Sequence, residues 1–353
     1  MLVVCLGTPS FLAYGIDAIL SEIFRYFYNC DFSHVYAITF AQLRTQFETL
    51  GNNDKNVKIF SDLPSYELSK VTISTKAPIL FAQDDFETLV LTLIAERKMD
   101  FTASTRMATQ SFALLACGDD VNNAVHYGGN SYHLRLDAII DQILEFCRFQ
   151  ATDEDRNIVL ERLQGPLNSD NQTLRDIIAF RFPSFEEVPV AKNLLSETQK
   201  EILASLSRSY DALLGQNDLA TVDWPLAVFQ RQDNMTQAPI GPLELVGPAR
   251  CLAFGPYLHL PRGYWKVRVQ LMVEGSLSDN KIILEVFSLV TLNHARMTLP
   301  PDGAFECDLD FFVKDPFYPI EIRIFLATGA IEGEILLLKI QCEPVNSAPV
   351  AKS

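Results

Sequence analysis

The feature that most limits the fold is a change of hydrophobic period part-way along the chain. Up to about residue 215, short apolar runs alternate with stretches of helical spacing; from about residue 246, apolar and polar residues alternate one for one. Side chains return to the same face every ~3.6 residues on a helix and every ~2 on a strand, so the two blocks predict two kinds of core. The length of 353 residues agrees, because a single hydrophobic core stops growing at roughly 250–300 residues.

The first block opens with the apolar run Leu2-Val3-Val4-Cys5-Leu6, which stops at Gly7-Thr8-Pro9-Ser10. Ile16, Ile19, Leu20, Ile23, Phe24 and Phe27 then recur at helical spacing. A second strand-then-helix unit runs from Ile79-Leu80-Phe81-Ala82, through Asp84 as the expected N-cap, to Phe86, Leu89, Val90 and Leu93. Two such units predict a parallel sheet. Residues 35–40 and 57–60 read as further short strands. Residues 135–215 read as mainly helical, ending in a helix that starts at the capping box Ser196-Glu197-Thr198-Gln199 and stops at Gly215.

Three divisions follow: an α/β domain over 1–215, a linker or connecting arm over 216–245 that holds Pro225, Pro239 and Pro242, and an all-β domain over 246–345. Residues 346–353 are expected to be a disordered tail. In the last domain Trp265, Val267, Val269, Leu271 and Val273 alternate with Lys266, Arg268 and Gln270, and the pattern returns in Phe305 to Phe311 and Ile320 to Ile324. Such strands, half-buried and separated by tight turns, predict an antiparallel, jelly-roll-like sandwich.

The formal net charge of -15 argues against nucleic acid or an anionic membrane as the main partner, since both are held by Lys and Arg. No apolar run is long enough to span a bilayer, and the first seven residues lack the basic flank of a signal peptide, so cytoplasm is expected. The seven cysteines are scattered and never spaced C-x-x-C, which argues against disulfides and zinc.

The layout of the first 215 residues resembles the sulfotransferase family, P-loop-type α/β proteins that take a sulfuryl group from the nucleotide donor PAPS. Gly7-Thr8-Pro9-Ser10 falls where that family has Gly-x-Pro-basic-Ser-Gly-Thr, the loop around the donor's phosphosulfate. Gln83-Asp84-Asp85 falls where it has Arg-Asp-Pro and then a helical Ser, which hold the 3′-phosphate; Thr92 is offset from that Ser by one. The resemblance implies Gly7, Thr8, Ser10 and Gln83 as donor-site residues, and PAPS or its desulfated product as the candidate cofactor. The departures point the other way. Ser10 replaces the cation, Phe11-Leu12-Ala13 replace the small residues that let amides converge on phosphate, and Gln83 replaces a bidentate Arg. No bound cofactor is expected. Ser10 also reads simply as an N-cap after a proline turn.

Other groups have two readings each. His126 and His133 flank a Gly-rich stretch and could supply a base, or be solvated loop imidazoles. Arg97, Lys98 and Arg106 could meet an anion, but Arg97 and Lys98 also suit the C-terminal end of a helix dipole. Glu306, Asp308 and Asp310 could attract calcium, or form a solvated strand face. The run 255–265 is similar to segments of carbohydrate-binding sandwiches, with Tyr257 and Tyr264 as rings to stack on sugars, Trp265 as core, and Phe317-Tyr318 as an equal alternative patch. The expected function is a sulfotransferase-like protein with eroded motifs that modifies or recognises a bacterial-type surface polysaccharide or its precursor. The alternative is a non-catalytic scaffold with no small-molecule site. The residues point to no catalytic group and to no oligomeric state; the resemblance implies a transferase, and the eroded phosphate loop argues against PAPS-dependent sulfotransfer.

Overall fold

The structure, a computed structural model, is described over residues 1–29, 31–50, 55–116, 123–164, 172–213, 220–232 and 241–345. The chain forms two compact units, Met1–Leu195 and Ser196–Ser353.

The first unit carries a parallel sheet of β1 (Leu2–Gly7), β2 (Ser33–Tyr36), β3 (Val57–Ser61), β4 (Ile79–Ala82) and β5 (Ala124–Tyr127) in the order β2-β3-β1-β4-β5. Its helices are α1 (Phe11–Tyr28), α2 (Phe40–Thr49), α3 (Tyr66–Ser74), α4 (Phe86–Arg97), α5 (Phe101–Leu115), α6 (Leu136–Phe146), α7 (Asp153–Gln164), α8 (Leu174–Arg181) and α9 (Val188–Leu194). Alternate residues of β1 face opposite ways. Val3 and Cys5 pack against α1, α6, α7 and α8, while Val4 and Leu6 pack in a second cluster with Leu43, Leu68 and Leu115 of α2, α3 and α5. Both faces are therefore covered, as a parallel sheet requires.

The strand expected over 35–40 ends at Tyr36. Thr39 and Gln42 form a reciprocal capping box that starts α2 at Phe40, so local capping overrides an apolar run. Lys58 of β3 is fully buried; its Nζ donates to Asp17 Oδ1 of α1 at 2.6 Å.

The second unit starts with α10 (Glu197–Asp211) and is a sandwich of two antiparallel sheets. Its strands are β6 (Val222–Trp224), β7 (Gln230–Arg231), β8 (Leu243–Glu244), β9 (Arg250–Leu258), β10 (Gly263–Glu274), β11 (Lys281–Ser288), β12 (Val290–Thr298), β13 (Gly303–Val313), β14 (Ile320–Leu326) and β15 (Glu334–Val345). One sheet runs β13-β10-β15-β6 with β8 also on β15, the other β12-β11-β14-β9-β7. The expected alternation holds: Trp265, Val267, Val269, Leu271 and Val273 are all buried.

The units divide at residue 195, not at 215. The capped helix ending the mainly helical stretch belongs to the sandwich, where Tyr210 OH donates to His259 O at 2.7 Å and Ser209 Oγ accepts from Asp223 N at 3.2 Å. Its apolar face needed a partner, and a periodicity cannot say which sheet supplies it. The expected arm over 216–245 holds β6, β7 and β8, so its described part is sandwich edge. The tail 346–353 lies outside the described residues, as do Cys30 and Cys117; the five described cysteines are free. No helix among the described residues is long and apolar enough to cross a membrane.

Candidate functional site

In a sheet ordered 2-3-1-4-5 the chain leaves β1 toward one edge and β4 toward the other, so the carboxyl ends of these two strands form the topological switch point of the sheet. Ligands of open α/β sheets bind at such switch points. The structure brings the residues singled out there together: Gly7, Thr8 and Ser10 follow β1, and Gln83 follows β4. Gly7 is required by close approach, since a Cβ on it would stand 2.6 Å from the carbonyl oxygen of Ala82. Thr8 and Ser10 are fully buried, and Thr8 Oγ1 donates to Ser10 Oγ at 3.2 Å. Ser10 is the N-cap of α1, accepting from Ala13 N at 3.4 Å, which accounts for its conformation without a ligand. Phe11 and Leu12 are buried in the core, Phe11 with its ring centre 5.5 Å from that of Phe185.

A carboxylate of the chain stands before the first amides of α1. Asp84 does not cap α4; Asp85 does, accepting from Thr88 N at 2.8 Å. Asp84 is instead buried, with Oδ2 accepting from Tyr132 OH at 2.8 Å. The Ser10 hydroxyl and the Leu12 amide also favour its charged form, though Oδ1 meets no donor at hydrogen-bonding geometry. Burial outweighs these contacts and pushes the carboxyl up to about 7. The amide nitrogen of Gln83 is likewise buried without a partner among the described residues.

A second polar cluster joins four elements at the same edge of the sheet. Asp62, just past β3, accepts from Tyr36 OH at 2.7 Å, Tyr14 OH at 3.1 Å and Arg97 Nη2 at 2.7 Å. Arg97 Nη2 also donates to Tyr14 OH at 2.9 Å. Arg97 thus has an internal counter-ion and is not presented to an anionic substrate. Helix α4, which Arg97 ends, buries Phe86, Leu89, Val90, Leu91 and Leu93 around most of its circumference, as a helix enclosed on all sides does. The 183–187 turn and α9 pack on it through Lys98–Glu187 at 2.6 Å and Lys192–Glu87.

In the sandwich, the register sets Tyr264 opposite Phe312, with ring centres 4.6 Å apart. The loop after β13 carries Phe317 and Tyr318, and Arg262 Nη1 donates to Lys314 O in that loop at 2.9 Å. Tyr264, Phe317 and Tyr318 are 38%, 39% and 37% exposed. The two patches that the sequence offers as alternatives are therefore one end of the sandwich. Tyr257 is only half-buried there, its backbone in the left-handed region at φ 63°, a conformation uncommon for a bulky residue. Trp265 is core, its indole donating to Pro261 O at 2.9 Å.

The remaining candidates take their bland readings. His126 lies on β5, exposed and stacked on Phe81 at 5.0 Å, and His133 is exposed in a short turn. Arg268 pairs with Asp308 at 3.1 Å, Glu306 at 3.2 Å and Glu343 at 2.9 Å. Glu306 and Asp308 thus have a cation of the chain's own, and among the described residues no group of three potential ligands could hold a metal ion.

The partnership of Asp84 with Tyr132 was not legible beforehand. Two adjacent aspartates were its only signal, since one cap needs one carboxylate. Nothing local points to a tyrosine 48 residues away.

No protein-family model matches the chain, and no curated protein matches it. Among solved structures it is similar to mouse sulfotransferase SULT7A1 complexed with PAP, at a TM-score of 0.38 and 12% identity over 60% of this chain and 81% of that one. It is also similar to TmCBM61 in complex with β-1,4-galactotriose, at a TM-score of 0.24 and 13% identity over 33% of this chain and 81% of that one. A third likeness is to the C-terminal CBM6 of LamC from Zobellia galactanivorans, at a TM-score of 0.20 and 11% identity over 36% of this chain and 92% of that one. Likenesses this slight carry no argument about activity.

Proposed function

We propose that this chain recognises a polysaccharide or its precursor through the sandwich, and that its α/β unit keeps a sulfotransferase-like plan without taking the nucleotide donor. The observation that carries the reading is the gathering of Tyr264, Phe317 and Tyr318, exposed beside Phe312 and Arg262, at one end of a rigid sandwich. Tyr264 is held by strand pairing opposite Phe312, and Phe317 and Tyr318 sit in the loop that Arg262 ties down; together they offer sugar rings an apolar platform, and the guanidinium and tyrosine hydroxyls beside them can hydrogen-bond ring substituents. In the α/β unit the eroded loop follows the same logic. An anion at the start of α1 would meet Asp84 at close range, with Phe11 and Leu12 behind it in place of a cation. With the Asp84 carboxyl pushed up to about 7, an incoming anion must either face its charge or force its protonation, and among the described residues it finds no cation there in compensation.

A second reading, a scaffold with no small-molecule site, is favoured by the burial of Phe11 and Leu12. Binding to an array of neutral and acidic oligosaccharides separates the two. Saturable binding to a glycan class, lost in Tyr264→Ala and Phe317→Ala variants of unchanged melting temperature, supports recognition. Uniform failure across the array, or binding that survives both substitutions, leaves the scaffold.

A further inference from the structure

The opposite end of the sandwich has a different chemistry. Strand β10 is 12 residues long, which puts its two ends roughly 35 Å apart. At the end away from Tyr264, Glu274 pairs in register with Glu334, and Glu334 with Glu244. Three carboxylates thus stand in a row on adjacent strands. Asp302 joins them, and with Val246 they line an open cleft of about 690 Å³ whose wall, among the described residues, holds no basic side chain; Arg231 Nη1 donates to the carbonyl oxygen of Pro242 there at 3.3 Å. None of these four carboxylates is in a salt bridge among the described residues. Arg250 lies nearby, but its guanidinium is engaged by the carbonyls of Glu244 and Pro248 at 2.6 and 3.2 Å.

Like charges directly opposite each other on a sheet destabilise it. Such a row is complementary in charge to a cation, and among the described residues no group of three carboxylates is placed to hold a metal ion.

The same end exposes apolar side chains. Ile331 and Leu277 are 81% and 71% exposed, and their loops are fixed to each other, Ser278 Oγ donating to Glu332 Oε1 at 2.6 Å and Asn280 Nδ2 to Glu332 O at 3.0 Å. Asp302 in turn accepts from Gly275 N at 2.8 Å, and Ala330 exchanges backbone hydrogen bonds with Gly247 at 2.8 and 2.9 Å. Large aliphatic groups held in water on a rigid frame, beside unpaired carboxylates, describe a surface matched in charge and polarity to one kind of occupant.

We infer that this acidic end of the sandwich docks a segment of a partner protein in which Lys or Arg side chains alternate with aliphatic ones. The cations reach the Glu244–Glu334–Glu274 row, and the aliphatic groups cover Ile331, Leu277 and Val246. Glycan at one end and a basic protein segment at the other would make the sandwich a two-ended adaptor, but the docking surface stands on its own observations whatever the aromatic end binds.

The test uses the full chain and fluorescence anisotropy of a labelled peptide of about twelve alternating Lys and Leu residues, with a Glu/Leu peptide and an oligolysine as controls. The Lys/Leu peptide should bind saturably, and more weakly as salt rises from about 50 to about 300 mM. The pair Glu274→Gln and Glu334→Gln should weaken it at least about fivefold, and Ile331→Ser about threefold. The same Glu334→Gln change should raise the melting temperature of the free protein, because it relieves the like-charge row. Equal binding of oligolysine with no effect of Ile331→Ser would reduce the surface to a diffuse negative field and overturn the inference. So would equal binding of the Glu/Leu peptide, an absence of saturable binding, or a lowered melting temperature in Glu334→Gln.

Discussion

The two units place their polar groups on opposite sides of the same choice. In the α/β unit the edge where such sheets receive ligands is turned inward: Asp84, Tyr132, Ser10 and Thr8 engage one another, Asp62 gathers Tyr14, Tyr36 and Arg97, and α4 is enclosed above them. In the sandwich the corresponding features face water, with rings exposed at one end and carboxylates at the other. The contrast teaches that a fold plan does not carry an activity by itself. What decides is whether the groups at the edge answer each other or are left to answer something else.

This contrast predicts that substitutions at polar groups in the α/β unit act on stability, whereas those on the sandwich ends act on binding. The largest effect is expected at the buried pair Lys58–Asp17, 2.6 Å apart with the lysine fully buried. Asp17→Ala leaves the fully buried Lys58 ammonium without its counter-ion and should cost about 3–5 kcal/mol in urea unfolding, while Lys58→Met, which leaves a carboxylate that keeps 14% exposure to water, should cost less.

Next comes Asp84. Its carboxyl is raised from 3.8 to about 7 by burial, so the folded state binds the proton more tightly than the unfolded state. Stability contributed by that proton is full below about pH 4 and is lost as pH rises through about 7, by at most roughly 4 kcal/mol. Asp84→Asn should flatten that slope and stabilise the protein above neutrality, measured by denaturant melts from pH 5 to 8. An unchanged slope would remove Asp84 from the account. Gly7→Ala, whose Cβ would press on Ala82 O at 2.6 Å, should cost about 1–3 kcal/mol. The smallest change in stability is expected for Tyr264→Ala, within about 1 kcal/mol for an exposed ring, although it should abolish glycan binding. A large destabilisation there would blur the distinction between the units.

Much of this architecture was readable from period alone. The β1 run and the α1 face, the strict alternation around Trp265, and the caps at Ser10 and Ser196 are local patterns, and they appear where local physics puts them. What could not be read depends on distant partners. Helix α10 has an apolar face that suits either core, and only tertiary packing assigns it to the sandwich. Asp84 looked like a cap because an aspartate before a helix usually is one, and its neighbour Asp85 takes that role. The acidic end was invisible because Glu244, Glu274, Asp302 and Glu334 come from four separate segments that only strand register aligns. The aromatic end was half legible, since Tyr264 was singled out but its union with Phe317 and Tyr318 required the loop after β13.

The central claim is that the start of α1 is already occupied by a carboxyl group of the chain's own, Asp84. Calorimetric titration of the full chain with adenosine 3′,5′-bisphosphate at pH 7.5 tests it directly, since that ligand carries phosphates but no labile sulfuryl group. The account predicts no saturable heat for the native chain; saturable one-to-one binding that is weakened by replacing Ser10 or Gln83 with alanine would contradict it.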